Sequence, residues 1–153
     1  MSPAQPGHAA PRHRLALFRL PPGAHSGVHR SASGRRIQSG LLTGAFSAER
    51  AAGLPADDWR SAHHDFTSGL AANLRLADAL RPVAERHGAT VAETAIAWAL
   101  AWPGVTGAIV GARRTAQVDG WIGAGSVRLT PADLDEIAVA ITTSGAGTGP
   151  ARP

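Results

Sequence analysis

The sequence contains no cysteine, no tyrosine and no lysine, and its first acidic residue is Glu49. The lack of cysteine excludes disulfides and thiolate chemistry. Without lysine, all 15 basic residues are arginine, and together with 18 glycines, 11 prolines and abundant alanine this suggests a GC-rich coding bias. No apolar run is long enough to span a bilayer. The only stretch resembling a signal-peptide core, Arg14-Leu-Ala-Leu-Phe-Arg-Leu20, is short and interrupted by Arg19. A cytoplasmic setting with no membrane partner is the default expectation.

What the chain does contain suffices for one domain with a sizeable core: 153 residues, 44% of them hydrophobic. Its formal charge of +4 raises the question of nucleic acid or another acidic surface. That charge is concentrated at one end. Residues 1–36 carry six arginines and no carboxylate, whereas residues 37–153 carry nine arginines against eleven carboxylates, a balance of −2. The basic segment 1–36 is rich in Pro, Gly, His, Ser and Arg, has no period beyond Leu15 to Leu20, and is expected to be disordered. As an organelle transit peptide it is suitably Arg-rich, but Pro3, Pro6, Pro11, Pro21 and Pro22 leave little room for an amphipathic helix. As a nucleic-acid arm it has the charge but a single ring, Phe18, which makes nucleic acid an unfavoured partner.

Val105 to Gly125 carries the clearest pattern. Val105 to Val110 is apolar, with β-branched residues at 105, 106, 109 and 110, as in a strand covered on both faces. Gly111 and Ala112 allow a tight turn, and Thr115 is placed to cap a helix over Thr115 to Ala124. The start of that helix would offer unpaired N–H groups beside Arg113 and Arg114, a place for a phosphate, although on the local pattern alone an ordinary strand-to-helix turn with solvated arginines is the favoured reading.

Five blocks of sequence point further: Gln38-Ser-Gly-Leu-Leu-Thr-Gly44, Leu54-Pro-Ala-Asp-Asp-Trp-Arg60, Ala79-Leu-Arg-Pro-Val-Ala-Glu-Arg-His-Gly88, Ala95-Ile-Ala-Trp-Ala-Leu100, and Val110-Gly-Ala-Arg113 with Gln117. In this order and spacing they resemble the C-terminal part of the aldo-keto reductases, NADP(H)-dependent oxidoreductases that reduce aldehydes and ketones on a (β/α)8 barrel. The resemblance runs from about Gln38 to Pro150, less than half of such a barrel, which takes about 250 residues. The implied fold is α/β, the C-terminal part of a TIM barrel, incomplete and mostly helical with few short strands. The organisation expected is a disordered segment 1–36, a partial reductase domain 37–143 and a flexible tail 144–153. In the family, the seventh barrel strand precedes the Gln38 block. Val28 to Arg36 has polar residues on both alternating faces, so no strand is expected there, and residues 1–36 read as a shifted frame or as sequence unrelated to the barrel.

The resemblance implies cofactor contacts only. Gln38, Ser39, Gly40 and Leu41 match the family's pyrophosphate loop, and Gly111, Ala112, Arg113 and Gln117 match the segment that holds the 2′-phosphate and adenine of NADP(H). A guanidinium fits a phosphate bidentately, which makes Arg113 the residue selecting NADP over NAD. Ala45 stands where a lysine is common, leaving Arg50 as a substitute cation, and Gly120 and Trp121 replace a Glu-Asn pair. The catalytic tyrosine and lysine of the family have no counterpart in this sequence, so no catalytic residue is assigned. Ser39, Ser47, Ser61 and Ser68 show no arranged base. The chain should be inactive alone. The carbonyl substrate belongs to the intact family, and the partners expected are a complementing chain or a second copy.

Elsewhere the pattern is plain. Residues 46–70 read as loop, with His63, His64 and Asp65 more consistent with solvated side chains than with a metal site. Leu70 to His87 is one amphipathic helix bent at Pro82 and closed by Gly88. Thr90 to Glu93 is a capping box opening a helix to about Ala101, apolar nearly all round. Thr130 and Pro131 open a last helix. An incomplete barrel would leave sheet edges open and the 91–101 helix uncovered.

Overall fold

A threonine three residues before a carboxylate twice sets a helix start. Thr90 Oγ1 accepts the Glu93 N–H at 3.0 Å while the Glu93 carboxylate accepts the Thr90 N–H at 2.8 Å, and Thr130 and Asp133 repeat the arrangement with Pro131 in the first turn. The computed structural model describes residues 14–17, 30–32, 38–147 and 149–153. Its elements in chain order are β1 (Arg14–Leu17), β2 (Arg30–Ala32), a 3-10 turn (Gln38–Thr43), α1 (Ala48–Ala52), 3-10 turns at Trp59–Ala62 and His64–Phe66, α2 (Leu70–Ala79), α3 (Arg81–Arg86), α4 (Val91–Leu100), β3 (Val105–Ala112), α5 (Thr115–Asp119), a 3-10 turn (Ile122–Gly125) and α6 (Pro131–Ser144). None of these helices is long and apolar enough to cross a membrane.

Three expectations shift by a turn or two. The helix expected over 70–87 divides into α2 and α3 at Leu80, because Pro82 sits in the first turn of α3, where its missing N–H costs no helical bond. Gly88, at φ 57°, ends α3 in the left-handed region as expected. The helix expected over 115–124 stops at Asp119 and resumes as a 3-10 turn, since Gly120 and the non-helical Trp121 interrupt it. Within the expected loop 46–70, Ser47 caps the short helix α1.

Two apolar clusters meet on α4. Val91 and Ala95 belong to the first, with Leu42, Leu76, Leu80, Val83 and Ile137; Ala92 and Ile96 belong to the second, with Ala108, Val110, Ala112, Trp121 and Ala124. The 91–101 helix is therefore covered, contrary to the expectation of an exposed one: α3 and the 38–43 turn pack on one side, β3 and the 122–125 turn on the other. Alanines at 92, 95, 97 and 99 let these neighbours approach closely.

The strands form one sheet in the order β1-β3-β2. β2 runs parallel to β3, pairing Arg30 with Val105 and Ala32 with Ala108, and β1 runs antiparallel, pairing Arg14 with Ala112 and Leu17 with Ile109. Two expectations are corrected here. Val28 to Arg36 does hold a strand, at Arg30–Ala32, parallel to β3. Each edge of β3 is covered over half its length, by β1 along residues 109–112 and by β2 along 105–108, because backbone ladders need no apolar alternation to form. The remainder of the expected disordered segment 1–36 lies outside the described residues. Three strands do not close a barrel, and among the described residues the fold is mostly helical.

Asp133 ties α6 to the end of α3. It is 4% exposed; its Oδ2 accepts from the Thr130 N–H at 2.8 Å and hydroxyl at 2.7 Å and meets His87 Nε2 at 2.8 Å, and its Oδ1 accepts from Arg86 at 2.9 Å. Burial alone would raise this carboxyl, but the Thr130 hydroxyl and N–H, then His87 and Arg86, outweigh it and hold the group well below the usual carboxylate range. A lowered native pKa contributes stability that is complete above the unfolded value of about 3.9 and is lost as pH falls through the native one. Asp133→Ala is expected to cost about 2 kcal/mol in urea unfolding at neutral pH. The gap to wild type should narrow as the pH falls below about 4; a gap constant with pH would mean that the charge contributes nothing.

Candidate functional site

The turn leaving β3 is shaped by Gln117. Its Oε1 accepts the N–H groups of Arg113 at 2.7 Å and of Arg114 at 3.1 Å, so two of the amides expected to be unpaired at this point are satisfied. Thr115, expected as the cap, is the first helical residue, and Arg114 takes the cap position with extended backbone. A glutamine at the third helical position reaches back to the donors that a threonine cap would leave to solvent. The arginine side chains remain outside: Arg113 and Arg114 are exposed. Gly111 is also exposed, and a Cβ there would meet nothing within 4 Å. Ala112 points the other way, into the second cluster. Gly120 and Trp121 serve packing: the Gly120 carbonyl accepts from Thr90 Oγ1 at 2.7 Å, and Trp121 is buried.

The second candidate segment begins at Gln38. Ser39 (φ 54°, ψ 31°) and Gly40 (φ 103°) lie consecutively in the left-handed region, and Ser39 is the only non-glycine residue with positive φ among those described. That conformation costs a side-chain-bearing residue on the order of 1 kcal/mol, strain of the kind found where backbone is aimed at a ligand. Leu41 is fully buried, so its side chain serves the core and only its backbone faces the loop. Gly44 has a packing reason of its own: at φ 72°, a Cβ would stand 3.2 Å from Val91 Cγ2. The cation near this loop is Arg81, donating to the Gly44 carbonyl at 3.2 Å, and not Arg50, whose guanidinium lies over the Phe46 ring at 5.6 Å. Among the described residues no hydrogen bond joins Ser39, Gly40 or Leu41 to residues 111–117. Arg113 and Gln117 are the predicted pair that the structure brings together.

Residues 57–66 hold an arrangement that sequence reasoning missed. Asp58 accepts the Arg60 N–H at 3.0 Å and pairs with the Arg60 guanidinium through Nε at 2.9 Å and Nη2 at 2.6 Å. An Asp just before a turn, two residues from an Arg, is a readable signal for such a cap. Trp59, 53% exposed, stands edge-on to His63 and Phe66, with ring centroids 5.3 and 5.8 Å apart, and Phe46 meets Phe66 at 5.3 Å. His63, expected to be solvated, is half-buried in this ring group because its Nδ1 accepts the Asp65 N–H at 3.2 Å; His64 is exposed. Among the described residues no three His, Asp or Glu side chains are placed to hold a metal.

A sequence model of the aldo/keto reductase family matches residues 34–141, a span that holds both candidate segments, β3 and helices α1 to α5. The chain belongs to the aldo/keto reductase family. Membership relates it to oxidoreductases whose fold is the TIM barrel, and it places the Arg113 turn and the Ser39 loop inside the matched region. β2 lies before the start of the match, so its parallel pairing with β3 comes from the structure alone.

The Asp58 carboxyl is held at about 2, chiefly by its hydrogen bonds from the Arg60 side chain and backbone, with a smaller contribution from the charge of Arg113. Carboxyl NMR titration of this aldo/keto reductase chain should give a midpoint near that value. Arg60→Ala should move the midpoint up toward the ordinary carboxylate range, about 3.9; an unmoved midpoint would assign the depression to something other than the pair.

Proposed function

We propose that this chain is the nucleotide-holding, C-terminal part of an aldo/keto reductase barrel, binding NADP(H) and reducing no carbonyl by itself. The observation that carries the reading is the exposed Arg113, on a turn fixed by Gln117. A planar guanidinium with unspent donors suits a phosphate monoester, the feature that separates NADP(H) from NAD(H). The left-handed Ser39-Gly40 step supports a second contact, through backbone, for the pyrophosphate. The residues fit the phosphate end of the cofactor. For the adenine they offer less than the family pattern, since the Gln117 oxygen is committed to the turn and Trp121 to the core.

When bound, the nicotinamide supplies a hydride to a carbonyl carbon. The family's proton donor to the carbonyl oxygen is a tyrosine tuned by a lysine, and this sequence has neither residue type. What the chain's own residues do is hold: Arg113 neutralises and orients a phosphate, Gln117 keeps the Arg113 backbone in place, and the buried Leu41 and Ala112 anchor the two segments in the core.

Titration with NADPH, followed by the cofactor's fluorescence, should saturate, with NADH binding more weakly. Arg113→Ala is expected to weaken NADPH roughly 10- to 100-fold, the worth of charge-assisted hydrogen bonds at about 1.5–3 kcal/mol, and to leave NADH nearly unchanged. Steady-state assays with a broad aldehyde panel should show no NADPH oxidation. Equal affinity for the two cofactors, or turnover, would sink the reading.

A further inference from the structure

As proposed, the Arg113 turn holds a phosphate and leaves the adenine of the same nucleotide without a partner, since the Gln117 oxygen is committed to the turn and Trp121 to the core. The 57–66 segment offers one. Trp59 is 53% exposed, whereas every other Trp and Phe among the described residues is buried or half-buried. Its two ring neighbours stand across it: His63 is inclined to the indole at 86° and Phe66 at 85°, with centroids 5.3 and 5.8 Å away. Neither is stacked on the indole, and about half of the residue's surface is open to a second planar group. A purine is such a group, and stacking on an exposed aromatic ring recognises it without any hydrogen bond.

Trp59 sits on a fixed mount. Phe66 is buried, Asp58 accepts the Arg60 N–H at 3.0 Å, and the buried Asn73 of α2 donates to the Asp65 carbonyl at 3.1 Å. These contacts order the segment before a ligand arrives, so less freedom is lost on binding. The same segment adjoins both proposed nucleotide contacts. Phe66 meets Phe46, just beyond the Ser39 loop, at 5.3 Å, and Asp58 is near enough to Arg113 for its carboxyl to respond to that charge. Arg60 gives Nε and Nη2 to Asp58 at 2.9 and 2.6 Å, so the pair neutralises itself and leaves the phosphate to Arg113. Trp59 is left for the base.

We infer that Trp59 is the stacking platform for the adenine of the nucleotide whose phosphate Arg113 binds. The inference rests on the nucleotide reading and adds to it the residue that recognises the base. Stacking at Trp59 takes over what Gly120 and the buried Trp121 do not provide by hydrogen bonding.

The test titrates the full chain with adenosine 2′,5′-bisphosphate, which carries the base and the 2′-phosphate but no nicotinamide, and follows it by calorimetry and by indole emission. Wild type should saturate, with its emission quenched. Trp59→Ala should bind roughly 5- to 150-fold more weakly, the worth of one stacked base. Trp59→Phe keeps an aromatic face, so it should weaken binding less than Trp59→Ala while losing the quenching. Binding that depends on Arg113 yet is unchanged in Trp59→Ala, or an emission that responds no differently in wild type and Trp59→Phe, would overturn the inference and leave the nucleotide reading standing. No saturable binding by wild type, or binding indifferent to Arg113→Ala, would overturn both. If Trp59→Ala does not fold, wild type and Trp59→Phe decide: quenching in the first and not in the second supports the platform, and equal quenching in both overturns it.

Discussion

A ten-residue helix with seven buried positions cannot lie on a surface, and α4 dictates the arrangement of everything around it. An amphipathic helix needs one covering layer, whereas a helix apolar on every side needs two. Val91 and Ala95 draw in α3 and the turn at 38–43; Ala92 and Ile96 draw in β3 and the turn at 122–125. The two clusters are faces of one constraint. The small side chains matter as much as the large ones, since alanines at four of the ten positions leave room for a strand on one side and helices on the other.

Polar ties fix the register of these layers. Thr90 Oγ1 accepts from the Glu93 N–H and donates to the Gly120 carbonyl, and Glu93 Oε1 accepts the Gly123 N–H at 3.0 Å, so the cap of α4 also clamps the segment after α5. Gly123 belongs to this clamp through its lack of a side chain: a Cβ there would come within 2.5 Å of Glu93 Oε1 and push the carboxylate off both its partners. Asp133 does the same for α6 and α3 on the opposite side. Both carboxylates are third helical residues with a threonine partner, so each stops one helix from fraying and docks a second element with the same two oxygens.

How much of this was legible depended on what kind of force wrote it. Helix starts are local, and Thr90, Glu93, Thr130 and Pro131 could be read because cap and partner lie three residues apart. β3 was legible from its β-branched run, and the buried α4 from its lack of a polar face. The break between α2 and α3 was not, because Pro82 is compatible with a kink or with a new first turn, and only the packing of Leu80 and Val83 into one cluster chooses between them. The site divides in the same way. The family blocks located the Ser39 loop and the Arg113 turn, but the sequence could not say that Gln117 would spend its oxygen on the Arg113 and Arg114 amides, or that Arg81 would meet the loop from 37 residues away. Those contacts are set by tertiary approach.

Backbone pairing is the force that side-chain patterns record least, and it accounts for the largest departure. Arg30–Ala32 lies in a stretch with polar residues on both alternating faces, and Arg14–Leu17 in a segment with no period beyond Leu15 to Leu20, yet both sit on β3, because an unpaired edge gains hydrogen bonds from an extended segment within reach. The parallel partner lies before the residues that match the family, so its place on β3 rests on the backbone pairing alone. The antiparallel partner has no counterpart among the parallel strands of a barrel. Its register sets Arg14 opposite Ala112, next in sequence to Arg113, so this pairing also brings the Arg14 backbone to the turn where the phosphate is proposed to bind. One backbone pairing therefore both covers residues 109–112 of β3 and fixes the position of the Arg14 backbone relative to the Arg113 turn.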